Sequence, residues 1–130
     1  MATRFLNPIL AKPDAPWVLR NARHERLVAR FLETAFESRS RNRGLLGRSG
    51  LADDSALILA PCSSIHTFFM QFAIDVAFVD RDGHILRARR ALQPWRIQAA
   101  LRASAVVELA SGALERSDTR DGDRLYLAAE

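Results

Sequence analysis

FAIDVAFVDRDGHILRARR, residues 72–90, decides the fold. Residues 72–79 are nearly all apolar and rich in Phe, Ile and Val, the composition of a β-strand. Asp80-Arg81-Asp82-Gly83 follows, and Asp-Gly suits the positive-φ positions of a tight hairpin turn. The return strand, His84–Arg90, alternates. Ile85 shares its set with the charged Arg87 and Arg89, and Leu86 shares the other with Ala88, so one face is wet.

Outward from this hairpin, further short strands are predicted at Leu57–Ala60 (closed by Pro61), Ala105–Leu109 (ended by Gly112) and Leu125–Leu127. Ser117–Arg124 reads as a polar turn. Residues 92–102 hold Pro94 and Trp95 and read as a loop with at most one helical turn. Residues 35–43 run into GLLG, where Gly44 is placed to end a short helix. Residues 17–33 are ambiguous. Leu27, Val28, Phe31, Leu32, Ala35 and Phe36 recur at helical spacing, while the rival is a pair of strands, Trp17–Arg20 and Leu27–Leu32, joined by NARHE. Residues 1–16 contain Pro8, Pro13 and Pro16 without any period and predict an extended lead-in. Short strands separated by turn signals predict a mostly β fold (α+β minor), a small β-sandwich or barrel-like domain with one short helix. The expected organisation is the lead-in, 1–16, and a single β-rich domain, 17–130.

At 130 residues and 48% hydrophobic the chain can bury a real core without staples. One cysteine excludes an intrachain disulfide, and no run approaches the roughly 18 apolar residues of a membrane span. The expected compartment is the cytoplasm, with no membrane partner. Charge is uneven: ten Lys+Arg stand against four Asp+Glu in residues 1–50, and nine against eleven thereafter. A basic first half can attract an acidic partner or nucleic acid through Arg20, Arg23, Arg26, Arg30, Arg39, Arg41, Arg43 and Arg48. No interleaved aromatic platform supports a nucleic-acid reading, and an Arg-rich solvated face explains the charge as well.

The chemistry-bearing stretch is PCSSIHTFFM, residues 61–70. Cys62, His66 and Met70 are soft ligands of the kind that suit copper. In an extended chain, however, each four-residue gap spans about 13 Å, too far for one ion. Cys62 or Ser64 with His66 as base would make a nucleophile, but neighbours two or four apart in a strand seldom meet, and no glycine turn adjoins them to form an oxyanion hole. The structural alternative makes Cys62 a small buried hydrophobe and leaves His66 and Thr67 to tie a loop. Asp75 stands inside an apolar strand, where a carboxylate needs a partner, either an Arg or a nearby backbone N–H. A functional acid lining a pocket is the rival account of it. Trp95, beside Pro94 and Arg96, is the candidate exposed aromatic. Asp80 and Asp82 read as turn residues, since their D-x-D-G spacing lacks the rest of a calcium loop. No P-loop, GxGxxG, CxxC or GxSxG occurs, so no cofactor is expected.

Taken together, RGLLGR (43–48), PCSSIHTFFMQFAIDVAFVDRDG (61–83), LQPWR (92–96) and VVELASGALERSDTRDGDRL (106–125) resemble the uncharacterised bacterial and archaeal family known as domain of unknown function 192, DUF192. The motifs run in that family's order over residues 27 to 127. The family often has Pro where this chain has Ala73, and Arg where it has Gln71. The resemblance implies a compact, mostly β domain with a short helix ahead of the Arg-Gly-Leu-Leu-Gly-Arg segment, and it draws residues 17–32 towards a hairpin. It implies no activity.

The expectation is therefore a small β-rich domain that binds a ligand or a protein partner and does not catalyse. Its pocket is expected where Ser64, His66, Thr67, Met70, Asp75 and Trp95 converge. The rivals are a metal-dependent or hydrolytic enzyme built on His66 and Asp75, and an Arg-mediated binder of nucleic acid or an acidic partner.

Overall fold

The computed structural model describes residues 4–130. Residues 1–3 of the expected lead-in lie outside the described residues. Within the rest of it, Asn7–Ala11 winds into a short helix, α1, instead of staying extended. Pro8 falls in the first turn, where a missing N–H removes no helical hydrogen bond. The turn brings Phe5, Leu6 and Ile9 into the core, and that burial outweighs the extended bias of the flanking prolines.

Ten strands follow in three sheets. β1 (Trp17–Asn21), β2 (Leu27–Ala29) and β10 (Leu125–Ala129) form a three-stranded sheet in the order β10-β1-β2. Residues 17–29 thus make the hairpin that the family resemblance implies for 17–32, with Leu19 opposite Ala29 and Arg20 opposite Leu27, while Phe31 and Leu32 pass to another sheet. The helical spacing loses because the apolar residues serve two sheets. At Arg30 the chain leaves the first sheet and continues as β3 (Phe31–Ala35), parallel to β4 (Ser55–Leu59). The amides of Arg30 and Phe31 both donate to the carbonyl of Asp54, at 2.7 and 3.1 Å, at the crossing.

The central sheet has the order β3-β4-β9-β6-β7, with β6 (Ile74–Val79), β7 (Ile85–Leu92) and β9 (Ala105–Ala110). Every residue of β6 and β9 is buried, which explains their unbroken apolar runs. The predicted 72–90 hairpin is β6 and β7, paired antiparallel. Gly83 in its turn has φ +91°, and a Cβ there would lie 2.2 Å from the carbonyl oxygen of Leu125, so only glycine fits.

Side-chain alternation divides this sheet into two faces. Ile58, Ala77, Val79, Val107 and Leu109 pack against Leu19, Val28, Leu125 and α1. Leu57, Leu59, Val76, Phe78 and Val106 pack instead against Leu45 and Met70. The architecture is mostly β and sandwich-like, with no closed barrel. Among the described residues there are three short helices where one was expected: α1, α2 (Ser38–Arg43, ending at Gly44 as predicted) and α3 (Ala113–Arg116). A further correction concerns residues 92–102. Ile97–Ala99 is a strand, β8, and it pairs with β5 (Ser64–His66) as a small third sheet. Three residues are too few to show alternation in the sequence.

Candidate functional site

The second face of the central sheet carries a buried carboxyl group. In β9 the sequence AVVELA puts Glu108 on the same side as Val106, opposite Leu57 of β4 and Val76 of β6. Glu108 is 4% exposed, and its Oε1 has no hydrogen-bond partner among the described residues. Burial pushes its carboxyl up to about 7, against the opposing field of Arg48. An apolar setting of this kind favours the neutral acid, which can donate a hydrogen bond as well as accept one.

Glu108 lines a cleft of about 460 Å³. One wall is the end of α2 and the turn after it, Arg41 to Leu46. The other is the segment Pro61 to His66 that enters β5, and Leu59, Met70 and Ala103 complete the lining with Glu108. Gly44, at φ +48°, sits beside the carboxyl, and a Cβ there would come within 3.9 Å of Glu108 Oε1. The walls mix apolar side chains with guanidinium groups. Arg41 is tied to the fold, donating to the carbonyls of Phe36 (2.9 Å) and Ala60 (3.4 Å) and to Ser38 Oγ. Arg48 forms a two-pronged pair with Glu33 at 2.7 and 3.0 Å. Arg43 is exposed, and while its carbonyl accepts from the Leu46 amide at 2.9 Å, its guanidinium makes no hydrogen bond or ion pair among the described residues.

Four of the residues expected at a site line this cleft: Cys62, Ser64, His66 and Met70. The extended-chain argument separated Cys62, His66 and Met70, but the segment is extended only through His66. Phe69 takes a left-handed φ of +66°, which folds the chain back and returns Met70 to the same cleft. Cys62 donates its thiol to the Ser64 carbonyl at 3.2 Å. Burial pushes that thiol up, more than the Ser64 hydrogen bond and Arg41 pull it down, and Glu108 adds to the rise. The thiolate needed for attack or for metal ligation is thereby disfavoured. His66 is exposed, its Nδ1 accepts from the Phe68 amide at 3.3 Å, and its ring stacks on Phe68.

The other three expected residues stand elsewhere. Thr67 is fully buried and ties two loops, donating to the Gln93 carbonyl (2.7 Å) and accepting from the Arg96 amide (2.9 Å). Trp95 is 56% exposed, with φ +67°, and packs on Phe69 outside the cleft, ring centroids 4.7 Å apart. Asp75 points to the other face of the central sheet. It accepts hydrogen bonds from the amides of Ala91 (2.8 Å), Gly112 (3.1 Å) and Leu114 (3.0 Å). The backbone N–H partner foreseen for it is thus present three times over, and it does not line the cleft that His66 lines. Its parity in the strand places it with Ala77 and Val79, so the expected convergence is geometrically closed to it.

Glu108 was not among the expected site residues, and Arg43 was named only in the nucleic-acid or acidic-partner footprint. The signal for Glu108 was present, since a carboxylate inside AVVELA is as anomalous as one inside FAIDVAFV. Two other clusters resolve as structure. The Asp80, Asp82 and His84 ligand atoms lie within 4.8 Å of one another, but Asp80 Oδ1 accepts from the amides of Asp82 and His84, and Asp82 pairs with Arg4 at 3.5 Å. Of the eight arginines that could have formed a nucleic-acid footprint, six hold the chain to itself: Arg20, Arg23, Arg26, Arg30, Arg41 and Arg48.

The family model DUF192, described as Uncharacterized ACR, matches residues 19–127. Two solved structures share the fold. One is a candidate transcription regulator from Sinorhizobium meliloti 1021, with a TM-score of 0.74 at 23% identity over 85% of this chain and 91% of that one. The other is a protein of unknown function from Novosphingobium aromaticivorans DSM 12444, with a TM-score of 0.69 at 21% identity over 85% of this chain and 82% of that one. No curated protein matches this chain. Among the described residues, no helix is long and apolar enough to cross a membrane.

Proposed function

This chain belongs to the DUF192 family, and from that membership, which carries a fold and no reaction, we propose that it is a ligand-binding domain whose site is the Glu108 cleft. One observation carries the reading. A carboxyl group that is 4% exposed keeps an oxygen unpartnered on the wall of a cleft. Fully buried polar atoms are nearly always satisfied, so a cleft that leaves one free is suited to a molecule that supplies the partner. The volume of about 460 Å³ falls within the usual range for small-molecule pockets.

Binding is favoured over catalysis by the state of the nearby groups. Cys62 is held as a thiol on the Ser64 carbonyl, and the His66 Nδ1 faces a backbone amide, so the pair is not aligned as nucleophile and base. The proposed location is the cytoplasm, where a lone thiol such as Cys62 stays reduced.

The test is an NMR titration of the ¹⁵N-labelled protein with small organic acids, amines and alcohols. At least one class is expected to shift the amides of Gly44, Cys62, Ser64 and Glu108 together. If all three classes leave those amides unmoved at millimolar concentration, the cleft is not a ligand site.

A further inference from the structure

Resting on the ligand-binding reading, we infer that the cleft takes a small organic acid with an apolar body: the Glu108 carboxyl donates a hydrogen bond to the ligand's carboxylate, and the Arg43 guanidinium balances its charge. Three features of the cleft converge on this class.

The first is charge. The charged and titratable groups around Glu108 are Arg41 and Arg43, which line the cleft from α2, Cys62 and His66 on the facing wall, and, outside the lining, Arg48 in its pair with Glu33. The residues opposite it on β4 and β6, Leu57 and Val76, are apolar. The surroundings are thus cationic, and an amine entering here would meet two guanidinium groups for one carboxyl. An anion meets the reverse.

The second is the state of the acid. Burial pushes the Glu108 carboxyl up to about 7, and an anion beside it favours the protonated form further. A protonated carboxyl against a carboxylate is a charge-assisted hydrogen bond, short and strong in an apolar setting. It would give a partner to the Glu108 carboxyl, whose Oε1 has none among the described residues. The third is the wall. Leu45, Leu59, Ile65 and Met70 line the same space, which suits an aliphatic or aromatic body behind the acid head.

Hexanoate, hexylamine and hexanol serve as probes, titrated at pH 6 and pH 8 into wild type, Glu108→Gln, Glu108→Leu and Arg43→Gln. Hexanoate is expected to shift the cleft amides and to bind about tenfold more weakly at pH 8, because that rise deprotonates a group near 7. Glu108→Gln keeps a donor that does not titrate, so it should bind hexanoate with that pH dependence gone. Glu108→Leu should bind at least tenfold more weakly at pH 6. Arg43→Gln should weaken binding about two- to fivefold, as for one exposed charge contact.

The acid assignment is overturned if hexylamine or hexanol binds as tightly as hexanoate, or if hexanoate leaves the cleft amides unmoved while another probe shifts them. It is also overturned if the pH dependence survives in Glu108→Gln. Each of these results leaves the ligand-binding reading standing. Silence from all three probes removes both. The dispersion of the variants' spectra shows that they are folded, and a folded Glu108→Gln alone suffices to decide the proton question.

Discussion

Asp75 and Glu108 lie one register step apart on neighbouring strands and face opposite sides of the same sheet. Val76 stands opposite Glu108, and Asp75 stands opposite Leu109. The two carboxyls are similarly buried, at 0% and 4% exposure, yet one gathers three backbone donors and the other has an oxygen with none. The first is part of the fold's scaffolding. The second is left for something else to complete.

Removing Asp75 should therefore be costly. Asp75→Ala strands the amides of Ala91, Gly112 and Leu114 and is expected to destabilise by about 3–5 kcal/mol, since each lost bond to a charged acceptor is worth roughly 1.5–3 kcal/mol and partial rehydration returns some of it. Urea unfolding monitored by circular dichroism measures this. A loss below about 1 kcal/mol would mean the three amides find other partners.

Glu108 should give stability a distinctive pH dependence. Its folded-state value near 7 lies above the unfolded value of 4.5. The native state therefore holds its proton more tightly, and stability is full below pH 4.5 and falls as pH rises to 7. The expected loss across that window is about 3 kcal/mol, at roughly 1.4 kcal/mol per unit. Glu108→Gln should remove this slope. Paired urea titrations of the two proteins at pH 4.5, 6 and 8 isolate it from other groups.

Asp123 should act in the opposite sense. Burial alone would raise its carboxyl, but hydrogen bonds from Arg23, Asn21 and the Arg120 amide outweigh it and hold the group down at about 2. Its stabilising contribution is present above its ordinary value of 3.8 and lost as pH falls to 2. Asp123→Ala is expected to cost about 2 kcal/mol at pH 7 by stripping bonds from Asn21, Arg23 and the Arg120 amide. Acid unfolding of this variant should lose the component between pH 4 and 2.

Thr67→Val keeps the shape and deletes the hydroxyl that joins Gln93 to Arg96. The expected cost is about 1–2 kcal/mol. Hydrogen exchange should report it locally, with the Arg96 amide losing protection before the central sheet does. Uniform loss across the domain would instead mean that the loop and the sheet open together.

Much of the fold was legible because its strands are long enough to declare themselves. FAIDVAFV, the Asp-Gly turn and the alternating return strand became β6 and β7, and Gly44 ended α2 as its place predicted. Helix α1 and strand β8 were not legible, being five and three residues long and set among prolines and polar residues. The cleft was half legible. Cys62, Ser64, His66 and Met70 share one stretch of chain, but Glu108 meets them from a strand some forty residues later, and only the sheet register brings it there. Asp75 misled for the same reason: its oddity was plain, but the face it takes depends on pairing that no local pattern encodes.

The crossing at Arg30 makes one thread common to both layers. Residues 27–29 are stitched to the outer sheet and residues 31–35 to the central one, with the Asp54 carbonyl pinning the seam between them. Tension applied to either layer is therefore carried into the other within a few residues. Peeling the layers apart like the covers of a book would have to break the pairing on one side of Arg30.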